Sequence, residues 1–198
     1  MPYATVEQLR LLIRHPEPFT DDEAAAAELL IELAQGAIDD ETGQPLETST
    51  DTVTLDGPTR DDHLYQSATR SRRLLLPRWP VTAVESVTVH GEDGEDTALT
   101  YGPHRDYTWS TDGILTRVGG EWPAHDRAVT VAYTAGFTDL PAGVRRICLR
   151  LASVGWSNPE FLSAETLGDH SRSFSAEALG MELTTADRRT LGAYRART

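Results

Sequence analysis

Apolar positions early in the chain recur at helical spacing, and polar punctuation cuts them into two helices. TVEQLRLLIR (5–14) puts Leu9, Leu12 and Ile13 on one face, with Thr5 and Gln8 at capping-box spacing. Pro16 and Pro18 end that helix. Thr20 and Glu23 repeat the box, and Phe19 stands where a hydrophobic staple would begin. The second helix is expected to run to about Thr42 and to stop at Gly43. Its expected apolar stripe is Leu29, Leu30, Leu33, Ala34, Ala37 and Ile38. Asp21, Asp22 and Glu23 suit the positive end of its dipole.

From about residue 50 the apolar pattern shortens to strand-like runs. TVTL (52–55), RLLL (73–76), VESVTV (84–89), DYTW (106–109), ILTRV (114–118) and AVTVAYT (128–134) read as short strands. DG at 56–57, EDGED at 92–96, DG at 112–113 and GG at 119–120 are the turns between them. One strand has a marked entry, LPRWPVTAVESVTVHG (76–91). Pro80 has no N–H, so ladder pairing is expected to start after it, and Trp79 is expected to plug the join between helices and sheet.

Helical sequence then returns. TDLPAGVRRICLRLASVGW (138–156) carries a candidate capping Thr or Asp and a proline placed for the first turn. Val144, Ile147, Cys148 and Leu151 form its apolar face, continued by Gly155, while Arg145, Arg146 and Arg150 lie off that face. Residues 157–183 show no sustained period. A last helix is expected from Thr184, with Asp187 three residues on, past Leu191 and Tyr194. An isolated helix of about 12 residues is marginal in water, so this one needs a partner, its own body or another chain. The expected fold class is α+β: a helical bundle core, an inserted small antiparallel β domain and an extended C-terminal arm ending in a short helix. The expected divisions are 1–48 for the N-terminal helices, 49–136 for the β domain, 137–157 for the core helix and 158–198 for the arm.

Composition narrows the function classes. The chain has 198 residues and no run of about 18 apolar ones, so no membrane span or membrane partner is expected. MPYATVEQLRLLIRHPEPF does not read as a secretory leader. Cys148 is the only cysteine, which rules out an internal disulfide framework and fits a reducing compartment. The net charge is -13 and uneven. Residues 1–63 hold 15 acids against 3 arginines, whereas residues 139–198 hold 7 acids against 8 arginines. Such a chain does not hold nucleic acid through a general basic surface; its acids keep it soluble or repel DNA.

Catalytic and metal motifs are not found. His15, His63, His90, His104, His125 and His170 show no metal-ligand spacing. GEDGED (91–96) lacks the alternating order of a calcium loop and reads as a hairpin turn. Cys148 falls inside an apolar stripe and reads as a core thiol. No nucleophile elbow, phosphate loop or dinucleotide fingerprint is present, and Asp61–Asp62 reads as a polar loop. No enzyme activity, metal or cofactor is expected. Trp79, Trp109, Trp122 and Trp156 each stand near an element end, as core closers or interface anchors.

Two stretches carry a resemblance. LPRWPVTAVESVTVHG (76–91) resembles the segment of phage head-to-tail connector (adaptor) proteins in which a Pro-Val pair enters a valine-rich strand. VTVAYTAGFTDLPAGVRRICLRLAS (129–153) is similar to the closing strand and Pro-capped helix of that family. ATVEQLRLLI (4–13) and FTDDEAAAAELLIELAQGAIDDETGQ (19–44) resemble its first helices, and GMELTTADRRTLGAYR (180–195) resembles tail ends of actinophage connectors. Gene transfer agents have related rings.

The resemblance implies a structural virion protein made in the host bacterial cytoplasm and placed in the neck. It implies a ring, typically twelve-fold, beneath the portal protein, contacting neighbouring copies and a stopper or tail-completion protein. Packaged double-stranded DNA would pass through the ring without sequence-specific binding. Subunit or portal contacts are expected at Arg145, Arg146, Arg150, Trp156, Phe161, Leu183, Arg188, Arg189, Leu191 and Tyr194. The acidic helical half and the arginine-bearing third helix offer complementary charges for a subunit contact. A stopper, which would bind the connector's distal face, and a non-viral β-rich module binding a small ligand or glycan are the alternatives.

Overall fold

Three threonine-led capping boxes set where helices begin, and a valine-rich strand sets the centre of the β unit. A computed structural model describes residues 2–58, 72–158, 164–167, 170–173 and 181–196. In chain order the elements are α1 (Val6–Leu12), α2 (Asp21–Thr42), β1 (Ser49–Leu55), β2 (Arg73–Leu75), β3 (Val81–His90), β4 (Asp96–Leu99), β5 (Tyr107–Trp109), β6 (Ile114–Arg117), β7 (Val129–Ala135), α3 (Ala142–Ser157), β8 (Ala164–Leu167), β9 (His170–Ser173) and α4 (Thr185–Leu191), followed by a 3-10 turn at Gly192–Tyr194. The fold is α+β, with an antiparallel β unit inserted into a helical one. The helical unit comprises Met1–Glu47 and Asp139–Arg195; the β unit comprises Thr48–Thr138 with Ala196–Thr198.

In the helical unit, Thr5, Thr20 and Thr184 each accept from the backbone three residues on, and Gln8, Glu23 and Asp187 return the bond. Gly43 ends α2 in the left-handed conformation at φ 69°, which glycine adopts without a Cβ penalty. The buried face of α2 is Ala27, Ile31, Ala34, Ile38 and Thr42. This corrects the expected stripe: Leu29 and Leu33 are 56% and 53% exposed, and only Ala34 and Ile38 of that set are fully buried. The reason lies in the α2–α3 packing. Two alanines on the contact line let the helices approach, and the Cys148 thiol comes within 4.0 Å of the Ile31 carbonyl. At 100° per residue, Leu29 and Leu33 then point away from that line.

In α3, Val144, Ile147, Cys148, Leu151, Ala152 and Gly155 are buried, which is the expected face with Ala152 added. Its start differs from expectation. Pro141 itself occupies the capping position with no side-chain cap, and its carbonyl accepts from the Val144 and Arg145 amides. Thr138 and Asp139 stand too far upstream to cap it. Phe19, expected as a staple residue, stacks on Trp156 of α3, with centroids 4.8 Å apart. The arm also holds a hairpin that its polar sequence does not announce: β8 and β9 pair antiparallel from Ala164↔Ser173 to Leu167↔His170.

The β unit has a four-stranded antiparallel sheet, β1-β7-β3-β4, and a three-stranded one, β2-β6-β5. Strand β7 alternates cleanly, with Val129, Val131, Tyr133 and Ala135 buried. Strand β3 follows a different rule. Val81, Val84 and Val87 are three residues apart, which in a regular strand would send alternate valines to opposite faces. Two register shifts, between Val81 and Ala83 and between Val84 and Ser86, each absorb a residue. Val81, Val84 and Val87 therefore stand opposite the inward Ala135, Tyr133 and Val131, and join one core with Leu74, Leu76, Tyr107, Leu115 and Trp122. Pairing starts at Val81, directly after Pro80, as the missing N–H requires. The Trp79–Pro80 peptide is cis, and Trp79 packs edge-on against Phe137 within the β unit at 6.1 Å. Residues 91–95 form a hairpin turn into β4, an edge strand of largely exposed residues absent from the expected set.

Candidate functional site

The helical unit carries two charged surfaces built on neighbouring helices. Helix α2 contains eight acids and no basic residue, and α3 contains three arginines and no acid. Of those arginines, Arg150 is committed. Its Nη2 donates to Asp187 Oδ2 at 2.6 Å and to the Glu182 carbonyl at 3.2 Å. Asp187 is buried and also accepts from the Thr184 hydroxyl at 2.6 Å. Burial works against its charge, but the Thr184 hydrogen bonds and Arg150 prevail and hold the carboxyl below its ordinary value. Arg145 and Arg146 have no hydrogen-bond or ion-pair partner for their side chains among the described residues.

These two arginines border a groove of about 640 Å³ between α1 and α3. Leu12, Ile13 and Leu149 supply its apolar wall, and Leu12 is 51% exposed. Sequence periodicity assigns Leu12 to the buried face of α1; in the fold only Leu9 of that seven-residue helix is fully buried.

The remaining expected contact residues divide by partner. Leu191 is fully buried in its own unit, and the Tyr194 carbonyl accepts from Gln44 Nε2 at 2.8 Å. Arg188 pairs with Glu41 Oε2 at 3.0 Å, and Arg195 contacts the same carboxylate. Helix α2 has no basic residue in its last turn, so these arginines supply the positive charge its C-terminus favours. Leu183 is half-buried beside Ala37, Glu41 and Met181, and Trp156 is half-buried on Phe19. Arg189 is exposed and has no side-chain partner among the described residues. Phe161 lies outside the described residues, as do Asp61, Asp62 and His63.

One anchor escaped sequence reasoning. The Tyr3 hydroxyl donates to Asp39 and accepts from the Leu46 amide at 2.6 Å, tying the N-terminal segment to both sides of the α2 end. No periodicity marks a single tyrosine before a helix. No group of three metal-ligating side chains occurs among the described residues. No described helix is long and apolar enough to cross a membrane.

No family model matches the sequence, and no curated protein matches it either. Solved structures do match. A chain in the neck of the empty gene transfer agent (GTA) particle, processed with sixfold symmetry, aligns with TM-score 0.57 over 99% of this chain and 91% of its own, at 19% identity. The chain shares its fold with proteins of gene transfer agent necks. A chain from the native GTA neck, processed with twelvefold symmetry, aligns with TM-score 0.53 over 98% and 88%, at 17% identity. A chain from the native GTA virion gives 0.56 over 99% and 91%, also at 17%. The likeness therefore spans the helical unit, the β unit and the arm together.

Proposed function

We propose that the protein is a structural component of a virion neck, a head-to-tail connector of the adaptor type in a phage or gene transfer agent. The observation that carries this reading is the alignment with GTA neck chains over nearly the whole length of both. Necks processed with sixfold and twelvefold symmetry fit a ring of copies, and a ring needs two different patches on each subunit. The helical unit offers an acidic surface on α2 and an arginine-bordered groove on α3. The net charge of -13 suits a ring through which DNA slides without sticking. The role is assembly, not catalysis.

In this reading the ring joins the portal to a stopper or tail. The arm's last helix is docked on its own unit, so contact with the portal falls to exposed residues such as Arg189. Deleting the gene from its parent element tests the reading. Electron microscopy of the lysate should show DNA-losing heads apart from complete free tails; intact particles would defeat it. A binding assay with purified portal separates adaptor from stopper, because a stopper meets the connector and not the portal.

A further inference from the structure

Four of the large exposed apolar side chains belong to the helical unit: Leu11, Leu12, Leu29 and Leu33. Leu29 and Leu33 lie on the face of α2 opposite its core line. Asp22 stands seven residues before Leu29, and Asp40 seven after Leu33. Seven residues are about two turns, so all four side chains follow one stripe. Asp22 and Asp40 are exposed, with no side-chain partner among the described residues. The α1–α3 groove is the reverse: an apolar wall of Leu12, Ile13 and Leu149, bordered by Arg145 and Arg146, which have no side-chain partner among the described residues.

We infer that the Leu29–Leu33 stripe of one copy seats in the α1–α3 groove of the next. The inference rests on the ring reading above and assigns its subunit contact. Leucines meet an apolar wall, and the aspartate at one end of the stripe meets Arg145 and Arg146, which have no side-chain partner among the described residues. The stripe and the groove share no residue, so the contact is head-to-tail, the kind that closes a ring when the rotation repeats. Both patches lie within one unit, so each subunit carries a complete plug and a complete socket. Complementary charge also rejects the wrong encounters, because stripe against stripe sets acid on acid and groove against groove sets arginine on arginine.

The test uses full-length chain supplied in trans to the deletion strain, with purified particles treated with a short bis-maleimide. Leu12→Cys and Leu33→Cys both alter exposed positions, and buried Cys148 stays silent. The double variant is expected to give a ladder of cross-linked multimers, and either single variant only monomer. Monomer from the double variant in particles that contain the chain would overturn the inference and leave the neck reading standing. Dimers from Leu33→Cys alone would overturn it too, since like would then meet like. Absence of the chain from complemented wild-type particles would overturn the neck reading itself, and this contact with it. Charge exchange gives an independent measure. Arg146→Glu should lower particle yield at least tenfold, and Arg146→Glu with Asp22→Arg and Asp40→Arg should restore most of it. No rescue, in chain that folds normally by circular dichroism, would count against the pairing.

Discussion

Arg150 Nη2 donates to Asp187 Oδ2 at 2.6 Å, and this pair ties the last helix to α3 of its own unit. The same carboxylate caps α4 through Thr184. Removing it breaks a charged hydrogen bond and a helix cap together. Asp187→Ala is expected to destabilise the helical unit by about 2–4 kcal/mol. Urea denaturation reads the loss, and limited proteolysis should show cleavage near residue 184 first. An unchanged midpoint would mean that Leu191 and the Arg188–Glu41 pair hold α4 without Asp187.

The Asp187 carboxyl has its pKa lowered in the fold, which fixes the sign of an acid effect. Its stabilisation is present above the ordinary aspartate value and fades as pH falls below it. Protection of the α4 amides, measured against intrinsic exchange at the same pH, should therefore fall below about pH 4, near the unperturbed aspartate range. Asp187→Asn should already show low protection at neutral pH, and that protection should change little on acidification.

Burial pushes the Cys148 thiol up to about 12, and the Tyr3 hydroxyl is raised as well, by burial and by Asp39. Both groups favour their neutral forms in the fold. As pH rises above the ordinary thiol value of 9.0, the unfolded chain ionises and the folded one does not. Stability should fall by about 1.4 kcal/mol per pH unit, above 9.0 for Cys148 and above 10.0 for Tyr3. Cys148→Ala should flatten the slope between pH 9 and 11. At pH 8 the native thiol should resist iodoacetamide until denaturant is added.

Tyr3→Phe keeps the ring and removes the hydroxyl that serves Asp39 and the Leu46 amide. The amide is left buried without this partner, so the expected cost is about 1–3 kcal/mol. Equilibrium unfolding checks it; a neutral result would mean that water replaces the hydroxyl.

In the β unit, a Cβ on Gly57 would lie 1.6 Å from the Pro123 carbonyl oxygen, a backbone atom that cannot swing aside. Gly57→Ala should cost about 3 kcal/mol, at the upper end of overpacking effects. Thermal unfolding of the full chain measures it, and near wild-type stability would show that the 121–125 segment shifts freely.

Local chemistry was legible and tertiary choice was not. Thr5, Thr20 and Thr184 announce their helices because a capping box is complete within four residues. Periodicity misplaces the α2 stripe because leucine outweighs alanine in any count, whereas packing against α3 selects Ala27 and Ala34 for closeness. Strand β4 and the β8–β9 hairpin were missed because DTAL, AETL and HSRS carry no alternating apolar face. Arg145 and Arg146 could be named from α3 alone. The groove beside them could not, since Leu12 and Leu149 meet only in the fold.

The most direct test of the neck assignment is the position of the protein in intact particles. An epitope tag after residue 198, located with gold-labelled antibody on purified virions, should mark the head–tail junction and only there. Label along the tail, over the capsid, or absent from purified particles would contradict the assignment.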